Sequence, residues 1–187
     1  GKWNVSQVKD MTQMFRDAAA FNQSVGKWDV SQVTNMRDMF RGAAAFNQDI
    51  GQWNVSQVTN MNCMFQDAKV FNQAIGKWNV SQVKDMTQMF RDATAFNQDI
   101  GQWPIKSDCN VFSMFFGSGV SAKTFTGIYG NEIADYFENN LEDPDDDAVW
   151  EPYTRWERRK NAVTLMSELN KNIDILNSKE EKLGNIF

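Results

Sequence analysis

Tryptophan stands at residues 3, 28, 53, 78 and 103, every step being 25 residues. Gly1, Gly26, Gly51, Gly76 and Gly101 keep the same interval, and so do the pairs from Met14–Phe15 to Met114–Phe115. Phe21–Asn22–Gln23 returns at Phe46, Phe71 and Phe96. Residues 1–18 and 76–93 share one wording, GKWNVSQVKDMTQMFRDA. A fixed period in this range marks an array of stacked units, because one such unit cannot cover its own apolar side. Most other folds are excluded by this single feature.

Aligning the repeats on one another separates held positions from free ones. Gly1, Trp3, Val5, Ser6, Gln7, Val8, Met11, Met14, Phe15, Ala18, Phe21, Asn22 and Gln23 are the same in all four full repeats. Lys2, Lys9, Asp10, Thr12, Gln13, Arg16, Asp17, Ala19 and Ser24 vary, almost always to polar or small residues. The held set is mostly apolar and belongs inside, where each large buried side chain contributes ~1.5–3 kcal/mol. This places Trp28, Trp53, Trp78, Met39, Phe40, Met64, Phe65, Met89, Phe90, Phe46, Phe71 and Phe96 in the core.

Val8, Met11, Met14–Phe15 and Ala18 step by three or four, which is helical spacing and predicts a short helix over about residues 7–16 of each unit. Ser6 stands where it caps that helix. FNQSVGKWDV alternates and holds β-branched residues, so it reads as an extended segment with one short strand per coil. The expected fold class is an α/β repeat solenoid with one helix and one extended piece per coil. At a β-like rise of ~4.8 Å, five coils make a rod of only ~25 Å. The amides of Asn22, Asn47, Asn72 and Asn97, with Gln23, Gln48, Gln73 and Gln98, are expected to form a polar ladder from coil to coil.

The motif WNVSQVTNMxxMFxxAxxFNQDIGxW resembles the repeat of BspA-like leucine-rich-repeat surface proteins, a unit also found in mycoplasma lipoproteins, gut and oral bacteria, and unicellular algae and protists. The resemblance spans residues 1 to about 116. It implies a right-handed, leucine-rich-repeat-like solenoid with Met, Phe and Trp in place of Leu. It also implies surface exposure, adhesion or protein–protein contact, no catalysis, and a cell-surface or secreted location. It carries no site residues over to this chain.

The pattern decays after Trp103: Pro104 stands where Asn or Asp is usual, Val111 replaces Met, and Gly117 and Gly119 end the unit. Residues 1–116 therefore read as five repeats, 117–137 as a cap, 138–149 as an acidic linker around Pro144, and 150–187 as an amphipathic helical tail. The linker lacks the ligand order of a calcium loop. In the tail, Leu169, Ile173 and Leu176 with Met166 form a near-heptad stripe behind the aromatic–basic start Trp150, Trp156, Arg158 and Arg159. These eight are the candidate partner-binding residues. The helix either packs along the coils or reaches a second protein, and a membrane-surface role is a third reading.

Chemistry is scarce. The chain has no histidine, which removes the commonest general base and metal ligand together. No glycine-rich phosphate loop precedes a lysine. Cys63 and Cys109 fall at different repeat positions and read as free thiols or core-lining residues rather than a disulfide or metal site. A net charge of −5 speaks against nucleic acid as a partner. No apolar run crosses a bilayer. Asn4, Asn22, Asn54 and Asn79 each precede a Ser by two, a pattern that matters only in a eukaryotic secretory path. No enzyme, metal or cofactor is expected. The expected function is a protein-binding wall with the tail helix as a second contact, as in a surface adhesin. The alternative is a linker subunit of a large assembly, in an organelle of an alga or protist, and a small-molecule carrier or enzyme is the remote third.

Overall fold

The computed structural model describes residues 3–106 and 108–120. Within them the chain returns over itself every 25 residues. Parallel bridges join Asp10 to Asn35, Asn35 to Asn60, Asn60 to Asp85 and Asp85 to Asn110.

The backbone hydrogen bonds show how a coil is made. In the first coil the N–H groups of Met11, Gln13, Phe15 and Asp17 donate to the carbonyls of Asn35, Arg37, Met39 and Arg41 in the next. The intervening Met14, Arg16 and Ala18 donate back three residues, to Met11, Gln13 and Phe15. The same alternation recurs from Met36 to Ala43, from Met61 to Ala68 and from Met86 to Ala93. Further turns close at Val33 to Val30, Phe46 to Ala43 and Trp53 to Ile50, with their equivalents. Each coil is thus a chain of tight turns in which about every second amide is lent to the neighbouring coil, so the backbone is satisfied without helix or sheet.

The helix expected over residues 7–16 and its equivalents does not form, and no helix occurs among the described residues. Two features forbid it. Alternate amides point along the stack rather than four residues back. In addition, Gln13, Asp38, Cys63, Gln88 and Ser113 have φ between 52° and 60°, as do Asp17, Asp67 and Asp92, with Gly42 and Gly117 close by at 68° and 64°. A left-handed residue at the third position of a four-residue turn matches type II turns at 11–14 and 15–18. Such turns also bring a side chain inward every three or four residues, so the apolar spacing that reads as helical is equally the spacing of linked turns. Ser6 is no helix cap: its own N–H is received by Asn4 Oδ1 at 3.1 Å. The strand expected in residues 21–30 is also missing, and β-pairing among the described residues is confined to the single bridge position of each coil. The α/β assignment is therefore replaced by a stack of turn-built coils. The expected cap beyond residue 120, the acidic linker and the C-terminal helix lie outside the described residues.

The core runs the length of the stack. Met36, Met39, Phe40, Phe46, Met64, Phe65, Phe71, Met86, Met89, Phe90 and Phe96 are fully buried. Phe40 and Phe46 lie face to face at 3.8 Å within one coil, and Phe40 meets Phe65 of the next at 5.7 Å and 4°. Trp53, Trp78 and Trp103 stack in a second file at 6.5 and 6.2 Å. Each of the three donates its indole N–H to a carbonyl near the preceding turn, Val25, Ile50 and Ile75, at 3.1–3.2 Å. That bond lets a polar ring atom sit in an apolar file without desolvation cost. Towards the first coil the file opens: Trp28, expected in the core from the sequence, is only half-buried because its neighbour Trp3 is 60 % exposed.

Glycine at the head of each repeat marks where coils come closest. A Cβ on Gly26, Gly51 or Gly76 would lie 2.3–2.6 Å from the backbone carbonyl oxygen of Asp49, Ala74 or Asp99. Only hydrogen fits there.

Candidate functional surface

Because every coil repeats the one before, each outward position becomes a column. Three columns are held by polar bonds. Asn22 Oδ1 accepts from the backbone N–H of Asn47 at 3.0 Å and from Gln48 Nε2 at 2.9 Å. Asn47 receives Asn72 and Gln73, and Asn72 receives Asn97 and Gln98, in the same manner. Seven of the eight ladder residues named from the sequence are joined along this line, while Gln23, on the first coil, takes no bond to a described residue. The line runs along the half-exposed margin of the coils rather than through their interior.

The other two held columns are turn-closing. Asn4, Asp29, Asn54 and Asn79 each accept the N–H of the Ser two residues on. Asp10, Asn35, Asn60, Asp85 and Asn110 do the same for Thr12, Arg37, Asn62, Thr87 and Phe112. These Asx turns explain why the two positions interchange only Asn and Asp while the regular pattern lasts. They also hold carboxylates in the charged form. The Thr12 hydroxyl and then its backbone N–H keep Asp10 below the ordinary aspartate value, and Ser31 does the same for Asp29.

A fourth column carries the left-handed residues Gln13, Asp38, Cys63 and Gln88. Asp38 is buried, 3.3 Å from Arg37 Nε and 3.7 Å from Arg41 Nη1, and its carboxylate oxygens take no hydrogen bond. Cys63 is buried on the next coil, its Sγ 3.6 Å from Gln88 Oε1. Burial, then the Asp38 charge, pushes its thiol up from the ordinary value. A thiol so placed is a poor nucleophile. Cys109 is buried as well, and neither cysteine forms a disulfide.

Among the described residues no group of three or more Cys, Asp or Glu side chains could hold a metal ion. No described helix is long and apolar enough to cross a membrane. Trp150, Trp156, Arg158, Arg159, Met166, Leu169, Ile173 and Leu176, named as partner-binding from the sequence, lie outside the described residues. The left-handed positions escaped the sequence reading, although one signal for them was present: the seventeenth position of the unit holds only Asp or Gly in all five coils.

Comparison with curated proteins and with solved structures finds no match. One family model does match, twice and with overlap, over residues 1–103 and 51–127. Together these spans take in every coil described above, well over half of the 187 residues. The chain belongs to the repeat family described as Mycoplasma protein of unknown function, DUF285.

Proposed function

We propose that the protein is a non-enzymatic docking wall, displayed at a cell surface in the manner of an adhesin, the role that the resemblance of its repeat to BspA-like surface proteins implies. The observation that carries this reading is the division of labour within the repeat. The held apolar residues and the leading glycine are consumed by stacking, and two Asx positions by closing turns. What faces outward is a set of parallel columns fixed to the backbone of a rigid stack. Such a surface meets a partner by area and repetition rather than by enclosing a small molecule.

Lys27 and Lys77 are exposed at one repeat position two coils apart, with Gln52 between them, and serve as reporters. Treating intact cells of the source with a membrane-impermeant amine reagent should label both. Labelling seen only after lysis would overturn the surface reading. Cross-linking on intact cells, read by mass spectrometry, should join the same lysines to a second protein, and their absence from every cross-link would remove the docking role.

A further inference from the structure

One column is left over when the fold has been accounted for. Gln7, Gln32, Gln57 and Gln82 occupy the seventh position of four successive coils, and all four are exposed. None takes a side-chain hydrogen bond to another described residue, in contrast to the bonded amides of Asn47 and Gln73 on the ladder. Among exposed positions the pattern elsewhere is drift. The ninth position runs Lys9, Thr34, Thr59 and Lys84, and the twelfth runs Thr12, Arg37, Asn62 and Thr87. The exposed Asn22 and Asn97, by contrast, are bonded along the ladder. The glutamines are held without a local reason.

We propose that this column is a self-association surface, and that its occupant is the glutamine column of a second copy of the chain. A carboxamide carries a donor and an acceptor side by side, so two of them pair through reciprocal N–H···O bonds without any other group. A column of such groups is complementary to itself, which is the requirement for a two-fold interface. Spacing selects the copy over an unrelated peptide. Successive coils are joined by parallel bridges, so the glutamines recur about every 4.8 Å. An extended peptide lying along the stack presents like-facing groups every ~6.7 Å, and over three coil steps the mismatch grows to about 6 Å. A second stack has the same period and stays in step over its whole length. This deepens the docking reading by naming one partner. Its failure would leave the surface-labelling result standing.

The test uses the full chain in sedimentation velocity over a concentration series. The wild type should pass from monomer to dimer as concentration rises. Gln32→Lys with Gln57→Lys sets lysine against lysine in either relative orientation of the two copies. It should weaken the dimer by at least about tenfold. Gln32→Glu with Gln57→Glu should do the same, and mixing the two variants should restore a heterodimer. Unchanged near-ultraviolet dichroism establishes that the variants are folded. Gln32→Asn with Gln57→Asn, which keeps the amide but shortens its reach, gives a second, uncharged check and should also shift the series towards monomer. A wild type that stays monomeric to millimolar concentration, or a dimer indifferent to these changes, overturns the proposal and leaves the column to a different occupant.

Discussion

Replacing Gly51 by alanine puts the coil spacing to a direct test. An alanine Cβ there would lie 2.4 Å from the carbonyl oxygen of Ala74, whereas real contacts of this kind essentially never fall below 3.0 Å. The obstacle is backbone, so the two coils must part locally by at least the difference of 0.6 Å. The nearest bond across that gap joins Trp78 Nε1 to the carbonyl of Ile50, the residue before Gly51, at 3.1 Å. Lengthened by so much, it passes out of hydrogen-bond range. A buried indole N–H and a carbonyl then lose each other, which costs about 1–3 kcal/mol. The ladder bonds from Asn72 and Gln73 to Asn47 are stretched as well, each contributing about 0.5–1.5 kcal/mol when intact. Against this, alanine restricts the unfolded chain and by itself stabilises by about 0.4–1 kcal/mol. The net expectation is a loss of about 2–3 kcal/mol, a fall of about 1 M in the urea midpoint followed by tryptophan fluorescence. The sign decides the matter. A neutral or stabilised Gly51→Ala would mean that the coils are not in contact at this point, and the stacking argument would fall with it.

Trp53→Ala should cost about 3–5 kcal/mol in the same urea titration, because the ring is buried between neighbours on both sides. Trp3→Ala, at a ring 60 % exposed, should cost under about 1 kcal/mol, and equal costs would show that the file is not graded towards its open end. Asp67 sits at φ 59°, in the column that elsewhere takes glycine. Asp67→Val should lose about 1–2 kcal/mol in thermal melts while Asp67→Gly loses little, since the Lys69 ion pair is half-exposed. The folded Cys63 thiol titrates above its unfolded value, so its contribution is complete below about pH 8.5 and declines as pH rises past that point. Urea midpoints at pH 7 and pH 10 should therefore differ more in wild type than in Cys63→Ser, and identical differences would show that burial does not govern this thiol.

The period, nearly all the inward residues and most of the amide ladder were legible in the letters, because stacking makes identical positions meet and so keeps them identical; Trp28 and Gln23, near the open end, are the exceptions. The secondary structure was not. Val8, Met11, Met14–Phe15 and Ala18 have the spacing of a helix face, and nothing in their hydropathy separates a helix from turns linked end to end. What separates them is the direction of the amides of Met11, Gln13, Phe15 and Asp17, and that is set by the presence of a neighbouring coil, a tertiary fact. Tertiary pairing overrides local preference wherever it satisfies more of the backbone. One local clue to the left-handed backbone was present, but it did not speak against a helix. The seventeenth position holds only Asp or Gly, and it falls just past the expected helix end, where a left-handed residue is also the usual helix stop. The same clue accounts for φ there.

Invariance among repeats carries weight only if the repeats have had the chance to diverge. Residues 1–18 and 76–93 are identical and say little on that point. The second and third coils say more. They differ at positions 2, 4, 12, 13, 16, 17, 19, 20 and 24, from Lys27 against Gln52 to Asp49 against Ala74. Arg37 against Asn62 and Asp38 against Cys63 show that even neighbours of the core have changed in size and charge. Gln32 and Gln57 have not changed, although both are exposed. Most other held positions have a structural cause: an apolar side chain buried in the stack, a glycine under a carbonyl, an amide bonded along the ladder, or a serine inside an Asx turn. Exposed and unbonded, the glutamine column has none within the stack, and its cause is best sought in what the stack touches.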